Sequence, residues 1–360
     1  MLMSEKKKVL VAMSGGVDST VAAAVLMDKY EVSGATMRLF TNDEIKLDNS
    51  RTCCSLEDVE DARNAAYRLG IDHYVFNFGD RFRECVIDRF VGAYMSGLTP
   101  NPCIECNRYI KFDTLLSRAE VTGFDYIATG HYVRRELDEA TGRYRLKKGL
   151  DPAKDQSYVL YNMTQKQLAR TLFPIGELTK AQTREIAGKY GLANAHKPES
   201  QDICFVPDGD YAAFIEAYTG RVFPKGSFVD KDGRVLGEHS GIIRYTIGQR
   251  KGLGIALGKP AYVLSKDVEN NTVTLGSNSD LFGREVWAGD VNWVSVECPD
   301  EPVRVSAKVR YNQQAQPGML FPMGDTVRMV FDEPQRAITP GQALVFYDDD
   351  ILLCGGMILR

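Results

Sequence analysis

Cysteine is scarce in this chain: eight in 360 residues, too few and too scattered for a disulfide scaffold. Those that cluster are therefore expected to serve redox, metal or nucleophilic chemistry. Long apolar runs are missing as well. No stretch approaches the roughly 18 residues of a membrane span, so no membrane partner is expected. Lys6, Lys7 and Lys8 followed by apolar residues begin like a secretory signal, but Gly15, Gly16 and Asp18 interrupt the run, which points to a cytoplasmic protein. A basic surplus is also absent, since 44 Lys+Arg stand against 48 Asp+Glu for a formal charge of −4. That excludes a chain that coats nucleic acid by bulk charge, and leaves room for a local basic track. There is no fixed-period repeat and no low-complexity segment. What remains, 44% hydrophobic and 26% charged residues, is the composition of a globular chain. At about 150 residues per domain, its length allows two or three.

The first half alternates short strand-like and helix-like segments. Val9–Met13, Val32–Leu39, Tyr74–Phe78 and Tyr126–Thr129 read as strands, with Val21–Met27 and Asp58–Leu69 as helices between them. That rhythm predicts βαβ units and a largely parallel sheet. Helical patterning persists through Lys180–Tyr190 and Asp210–Tyr218, then gives way to short β runs. Asp232-Gly233 and Asn270-Asn271 are hairpin-type turns, and longer alternating runs follow at Val303–Tyr311, Thr326–Phe331 and Ala343–Phe346. The expected architecture is α/β: a parallel-sheet domain over 1–208, a small β-rich central domain over 209–278 and a C-terminal β-barrel over 279–360.

The strongest local signal is Ser14-Gly15-Gly16-Val17-Asp18-Ser19-Thr20, between the first strand and a helix. Two glycines let the backbone approach an anion, and the amides and dipole of the following helix attract it. The Gly-Lys-Ser/Thr ending of a Walker A loop is absent, and so is the Rossmann fingerprint. SGGVDST instead resembles the loop of the ATP pyrophosphatase superfamily, which cleaves ATP between its α and β phosphates and adenylates a substrate oxygen. The resemblance implies that Ser14, Gly15, Gly16, Asp18 and Ser19, flanked by Ala12, Met13 and Val17, hold the pyrophosphate portion of ATP, with Mg2+ as its companion. It places adenine near Ala35–Met37, with Met37 in contact. Gly130 follows a strand end, where open α/β sheets place ligands.

Cys103-Ile104-Glu105-Cys106 is a CxxC motif after the Pro-rich Thr99-Pro100-Asn101-Pro102, and Cys204 lies in Ser200-Gln201-Asp202-Ile203-Cys204-Phe205. Three readings compete for these thiols. A zinc site wants four ligands, and the adjacent Cys53-Cys54 pair fits tetrahedral geometry poorly. An Fe–S cluster on Cys103, Cys106 and Cys204 would leave one iron site open. A thiolate pair would do sulfur chemistry, helped by a helix N-terminus that lowers thiol pKa. Cys85, Cys298 and Cys354 stand alone in apolar patterns and read as small buried hydrophobes.

In order along the chain run SGGVDST, TPNPCIECNRYIKF, ATGHY, KDQSYVL, SQDICF and YTIGQRKGLG. Together they closely resemble the bacterial tRNA-specific 2-thiouridylase family over essentially the full length. The resemblance implies that ATP adenylates the C2 oxygen of the wobble uridine. Cys204 would carry sulfur as a persulfide, delivered by a cysteine desulfurase or a relay protein. Cys106 matches the family's nucleophile, and a Cys106–Cys204 disulfide would remain after turnover. Some members carry Asp where this chain has Cys103, so an acid–base role is not carried over there. Asn101, Pro102, Cys103, His131, Lys154, Asp155, Gln156, Arg310, Tyr311 and Gln342 match positions that contact tRNA or its target base. The expected substrates are tRNAs reading Lys, Glu and Gln codons.

Two basic stretches could supply the RNA surface. Arg143-Tyr144-Arg145-Leu146-Lys147-Lys148 holds four basic residues in six positions. On the Val303–Tyr311 strand, Arg304, Ser306, Lys308 and Arg310 share the face opposite Val303, Val305, Ala307 and Val309, so a basic ridge is expected outside the barrel. Two other functions remain open: a small-molecule adenylating ligase with the same ATP loop, which leaves CxxC and the barrel unexplained, and an Fe–S or thiol-based RNA-binding sensor.

Overall fold

The structure, a computed structural model, describes residues 6–40, 56–191, 203–206 and 209–359. Its first sheet grows around β1 (Lys8–Ala12), whose Val9, Leu10 and Val11 are fully buried, as a strand covered on both faces requires. β2 (Glu31–Arg38), β3 (His73–Asn77), β4 (Tyr126–Ala128) and β7 (Thr171–Leu172) complete the order β3-β2-β1-β4-β7, with every pairing parallel. Helices α1 (Val17–Leu26) and α2 (Leu56–Leu69) connect the first three strands. The helix expected from Val21 begins at Val17, because the extended Gly16 is its N-cap and the glycine loop runs straight into its first turn. Strand order reverses between β1 and β4, so loops leaving their carboxyl ends diverge and open a crevice.

A hairpin not foreseen from the sequence follows. β5 (Val133–Leu137) and β6 (Tyr144–Lys148) pair antiparallel, and β6 joins the last strand, β17 (Ile351–Ile358), through Leu146↔Leu352 and Lys147↔Ile351. The central sheet has the order β10-β11-β8-β9, built from β8 (Gly226–Val229), β9 (Val235–His239), β10 (Tyr262–Asp267) and β11 (Thr272–Gly276). Its turns hold Gly233 at φ +82° and Asn271 at φ +48°, the backbone region that Gly and Asn favour. β12 (Phe282–Trp293), β13 (Val303–Lys308), β14 (Gln316–Met323), β15 (Thr326–Arg336) and β16 (Ala343–Asp348) run round to β17, and the β12–β17 pairing closes a six-stranded barrel. Val305, Ala307 and Val309 point into it and are buried, as their alternation predicts.

The largest apolar cluster includes Leu10, Phe112, Tyr158, Phe205, Phe228 and Val345, so all three sheets share it. The CxxC segment forms α3 (Pro102–Glu105), a π-helical run over Cys106–Thr114 and α4 (Leu115–Val121). Further on lie α5 (Lys180–Lys189) and α6 (Tyr211–Thr219). Among the described residues, no helix is long and apolar enough to cross a membrane.

Candidate active site

The glycine loop occupies the crevice mouth. Gly15 has φ +75°, and a Cβ there would lie 2.7 Å from the Asp58 carbonyl oxygen, so only glycine fits. The Ser19 and Thr20 hydroxyls donate to the Gly16 carbonyl at 3.1 and 3.0 Å, while the Ser14 amide donates to Ser19 Oγ at 3.2 Å. No side chain caps α1, and a helix cannot pair its leading amide donors internally, which is an arrangement that an anion can complete. Ala12 and Met13 end β1 beside Ala35, with Met13 N–H donating to the Ala35 carbonyl at 2.8 Å. Val17 is buried behind the loop and Met37 is half-buried two residues beyond Ala35. From β4, Gly130 closes the other side. A Cβ on Gly130 would meet Ser19 N at 2.7 Å and Asp18 C at 2.8 Å. Of the residues expected at ATP, those from Ala12 to Ser19 and Gly130 thus lie together, while Met37 stands two residues beyond Ala35 on β2.

Three further side chains, not singled out from sequence, act on the loop. Asp18 accepts from Lys180 Nζ at 2.8 and 2.9 Å and from Tyr132 Oη at 2.8 Å, while Tyr132 Oη also reaches Thr183 Oγ1 at 3.0 Å. Lys180 opens α5 behind a Thr179–Gln182 capping box. The available signal was the loop's lack of any Lys or Arg of its own.

Asn101 caps α3, its Oδ1 accepting from the Cys103 amide at 3.1 Å, and Pro102 takes the first helical position, where its missing N–H costs nothing. Cys103 is exposed, whereas Cys106 and Cys204 are half-buried. The expected lowering of the nucleophile's pKa is not found. Burial pushes the Cys106 thiol up to about 11, opposed by the Lys111 ammonium and reinforced by Cys103. Cys106 is the fifth residue of its helical run, beyond the first turn over which a helix dipole acts. His131 hydrogen-bonds Thr129 Oγ1 through Nδ1 at 2.8 Å and packs between Phe112 and Phe173, ring centroids 5.7 and 6.5 Å away. Burial first, and Lys111 second, hold it well below the usual imidazole range, so it is neutral.

Phe205 anchors Cys204, packing edge-on against Phe82 and Phe90 at 5.8 and 5.2 Å. Cys106 and Cys204 border the same cluster. Cys53 and Cys54 lie outside the described residues. Cys85 and Cys354 are buried as expected. Cys298 is not: it is exposed beyond β12, its thiol 3.7 Å from the Pro299 carbonyl. Among the described residues, no three His, Cys, Asp or Glu side chains are gathered to hold a metal ion.

Two of the expected RNA residues are bonded to segments of this centre. Gln156 exchanges hydrogen bonds with the Tyr132 backbone at 3.0 and 3.2 Å, next to His131. Gln342 Nε2 donates to the Thr99 carbonyl at 2.7 Å, tying the barrel to the loop that carries Asn101. Asp155 accepts from Gly149 N, Ser157 N and Ser157 Oγ at 3.2, 3.0 and 2.9 Å, which makes it a turn organiser, and Lys154 precedes it half-buried. Tyr311 is exposed, its ring 5.9 Å from that of Tyr158.

The basic track needs correction. Arg304 is exposed but paired with Asp332. Lys308, its side chain 13% exposed, lies 3.6 Å from Asp155. Arg310 Nη2 donates to the Ile247 and Ala337 carbonyls and to Thr339 Oγ1 at 3.1, 2.9 and 2.7 Å. The Arg143–Lys148 cluster is likewise engaged: Arg143 donates to the Trp293 carbonyl at 3.2 Å, Arg145 to Asp138 at 2.6 Å, Lys147 to Glu136 at 3.0 Å, and Lys148 to the Asp349 carbonyl at 2.7 Å. Face alternation was right; these cations hold elements together, which sequence charge alone does not reveal.

Known proteins resemble the chain along its whole length. Three sequence-family models match consecutive blocks: a tRNA methyl transferase HUP domain over residues 7–208, a tRNA methyl transferase PRC-barrel domain over 212–277, and an aminomethyltransferase beta-barrel domain over 284–358. The tRNA-specific 2-thiouridylase MnmA of Acetivibrio thermocellus is 53% identical over 357 residues, covering 98% of this chain and 99% of the relative. That of Clostridioides difficile is 51% identical over 358 residues, with 99% of each covered. That of Carboxydothermus hydrogenoformans is 53% identical over 356 residues, with 98% of each covered.

Proposed function

The chain belongs to the tRNA-specific 2-thiouridylase family, and we propose that it replaces the C2 oxygen of a tRNA wobble uridine with sulfur at the crevice between β1 and β4. One observation carries the reading: an uncapped helix start is joined, through Gly130 and His131, to the helical run that bears Cys106. ATP supplies the adenylyl group that makes the uridine oxygen a leaving group, released as AMP. Ser14, Gly15, Gly16, Asp18 (through its backbone amide) and Ser19 would hold its pyrophosphate portion, with Mg2+ accompanying the nucleotide and Met37 at the adenine. The closeness of Gly130 to the Asp18–Ser19 backbone supports this, because a side chain there would crowd the loop.

In this reading Cys204 carries the sulfur as a persulfide, and its terminal sulfur bonds C2 as the oxygen departs. The Cys106 thiolate then attacks Cys204 Sγ. The bridging S–S bond breaks, its electron pair goes to the sulfur on C2, and a Cys106–Cys204 disulfide remains for a thiol reductant to open. Cys106, protonated at rest, gives up its proton to solvent before attacking. An iron–sulfur cluster on Cys103, Cys106 and Cys204 is not adopted, since those side chains are not arranged as a metal site. Asn101, Pro102, Cys103 and the neutral His131 would border the flipped base. Lys154, Asp155, Gln156, Arg310, Tyr311 and Gln342 would border the surrounding tRNA, with Tyr311 offering a ring for stacking. The reading extends to tRNAs for Lys, Glu and Gln, a cysteine desulfurase or relay protein as donor, and action in the cytoplasm.

Incubation with ATP, a sulfur donor and unmodified tRNA, followed by nucleoside analysis, tests it. Thiolation is expected to vanish in Cys106→Ser and Cys204→Ser and to persist in Cys298→Ser. Pyrophosphate release independent of tRNA would instead favour a small-molecule ligase.

A further inference from the structure

A phosphate loop that carries its own lysine screens the charge of the polyanion it binds. The segment Ser14–Thr20 has no basic residue, and its one charged side chain is Asp18, which would repel a triphosphate. The chain supplies a cation from 162 residues away. Lys180 Nζ sits 2.8 and 2.9 Å from the two Asp18 oxygens, with its side chain only 13% exposed. Its backbone is fixed by the Thr179–Gln182 capping box and by Lys180 N–H donating to Asp151 Oδ2 at 3.0 Å. The capping box occupies amides of α5, so this helix brings a side chain to the seat, whereas uncapped α1 brings its amides. Tyr132 Oη adds a neutral donor to the same carboxylate at 2.8 Å.

We propose that Lys180 is a pyrophosphate-binding residue of this enzyme: in the resting protein the Asp18 carboxylate stands in for a phosphate oxygen, and the arriving nucleotide takes over the Lys180 ammonium. The exchange makes and breaks no covalent bond. It leaves a fixed positive charge beside the pyrophosphate as that group departs, the moment at which negative charge on it grows. Lys180 therefore serves the adenylation half of the reaction and has no part in sulfur transfer.

The inference rests on the ATP step of the reading above, so its test omits tRNA and the sulfur donor. A loss of thiolation and a loss of pyrophosphate binding are then separate results. Inorganic pyrophosphate is titrated calorimetrically into the full chain without Mg2+, and each variant's fold is checked by thermal melting. Lys180→Met is expected to weaken binding by roughly tenfold or more, as loss of a charge-assisted hydrogen bond does, and Lys180→Arg is expected to retain most of it. Should Lys180→Met fail to fold, Lys180→Gln carries the same expectation. Combining Lys180→Met with Asp18→Asn separates two roles. Binding that stays weak in the double variant supports direct contact with pyrophosphate. Recovery to the wild-type level would reduce Lys180 to a counter-ion of Asp18 and overturn the proposal, as would binding by Lys180→Met within twofold of wild type.

Discussion

Cys106 is a nucleophile stored as a thiol. With its proton held up to about pH 11 by burial, the thiolate fraction grows about tenfold per pH unit below that point. Among the described residues, Lys111 is the cation that pulls the other way, and it lies five residues after Cys106 in the π-helical run. In an α-helix, five residues would turn it about 140° from the thiol. The i→i+5 bonding of a π-helix, seen where Leu115 N–H donates to the Ile110 carbonyl, brings the two towards one face. Lys111→Met should therefore move the pH profile of Cys106 alkylation upward in a Cys103→Ser/Cys204→Ser background, with Lys111→Arg restoring it. An unmoved profile would show that burial alone sets this thiol. The sign also bears on stability. A folded pKa above the ordinary 9.0 favours the fold below pH 9, and that contribution is lost as pH rises towards 11.

At the level of elements, the site depends on how closely the ends of β1 and β4 approach. Gly130→Ala pushes a methyl group into the Asp18–Ser19 peptide, where backbone, unlike a side chain, cannot swing away. We expect a cost of about 1–3 kcal/mol together with a raised KM for ATP. Thermal melting and an ATP titration of tRNA-dependent pyrophosphate release would check both, and wild-type values in each would refute the close packing. This packing was only partly legible beforehand. The glycine loop, the parallel strands and Gly130 at a strand end follow from short-range pattern. That Lys180 meets Asp18 does not, because the pair is created by a crossover spanning 162 residues. The π-helical run was hidden as well: TPNPCIECNRYIKF shows where a helix starts, but nothing in its apolar spacing distinguishes 3.6 residues per turn from a wider coil.

Across the whole molecule, charge proved the hardest property to read from sequence. Arg304 and Lys308 do line the outer face of β13 and Arg310 follows two residues beyond its end, yet each has a partner inside the protein. Asp349 and Asp350, about 200 residues on in the sequence, sit against Lys148, Lys147 and Arg134. A one-dimensional charge run cannot show which runs fold onto each other. Lys308→Ala should accordingly lower stability by about 1–3 kcal/mol, by removing one of the two ammonium groups, with Lys148, that face the Asp155 carboxylate, and leave the salt dependence of tRNA binding unchanged. A slope flattened by about one unit would instead mark a direct phosphate contact.

The strand β6 is bonded on one side to its hairpin partner and on the other to the chain's last strand. This makes the barrel a poor candidate for excision. Cutting the chain ahead of β12 would strip β6 of that neighbour and lay bare Leu146, fully buried in the intact protein. The remaining catalytic half would carry a raw, sticky sheet margin of the kind that recruits other chains. Nucleotide chemistry and the barrel thus share one folded unit, and a truncated enzyme should fail first as an insoluble protein.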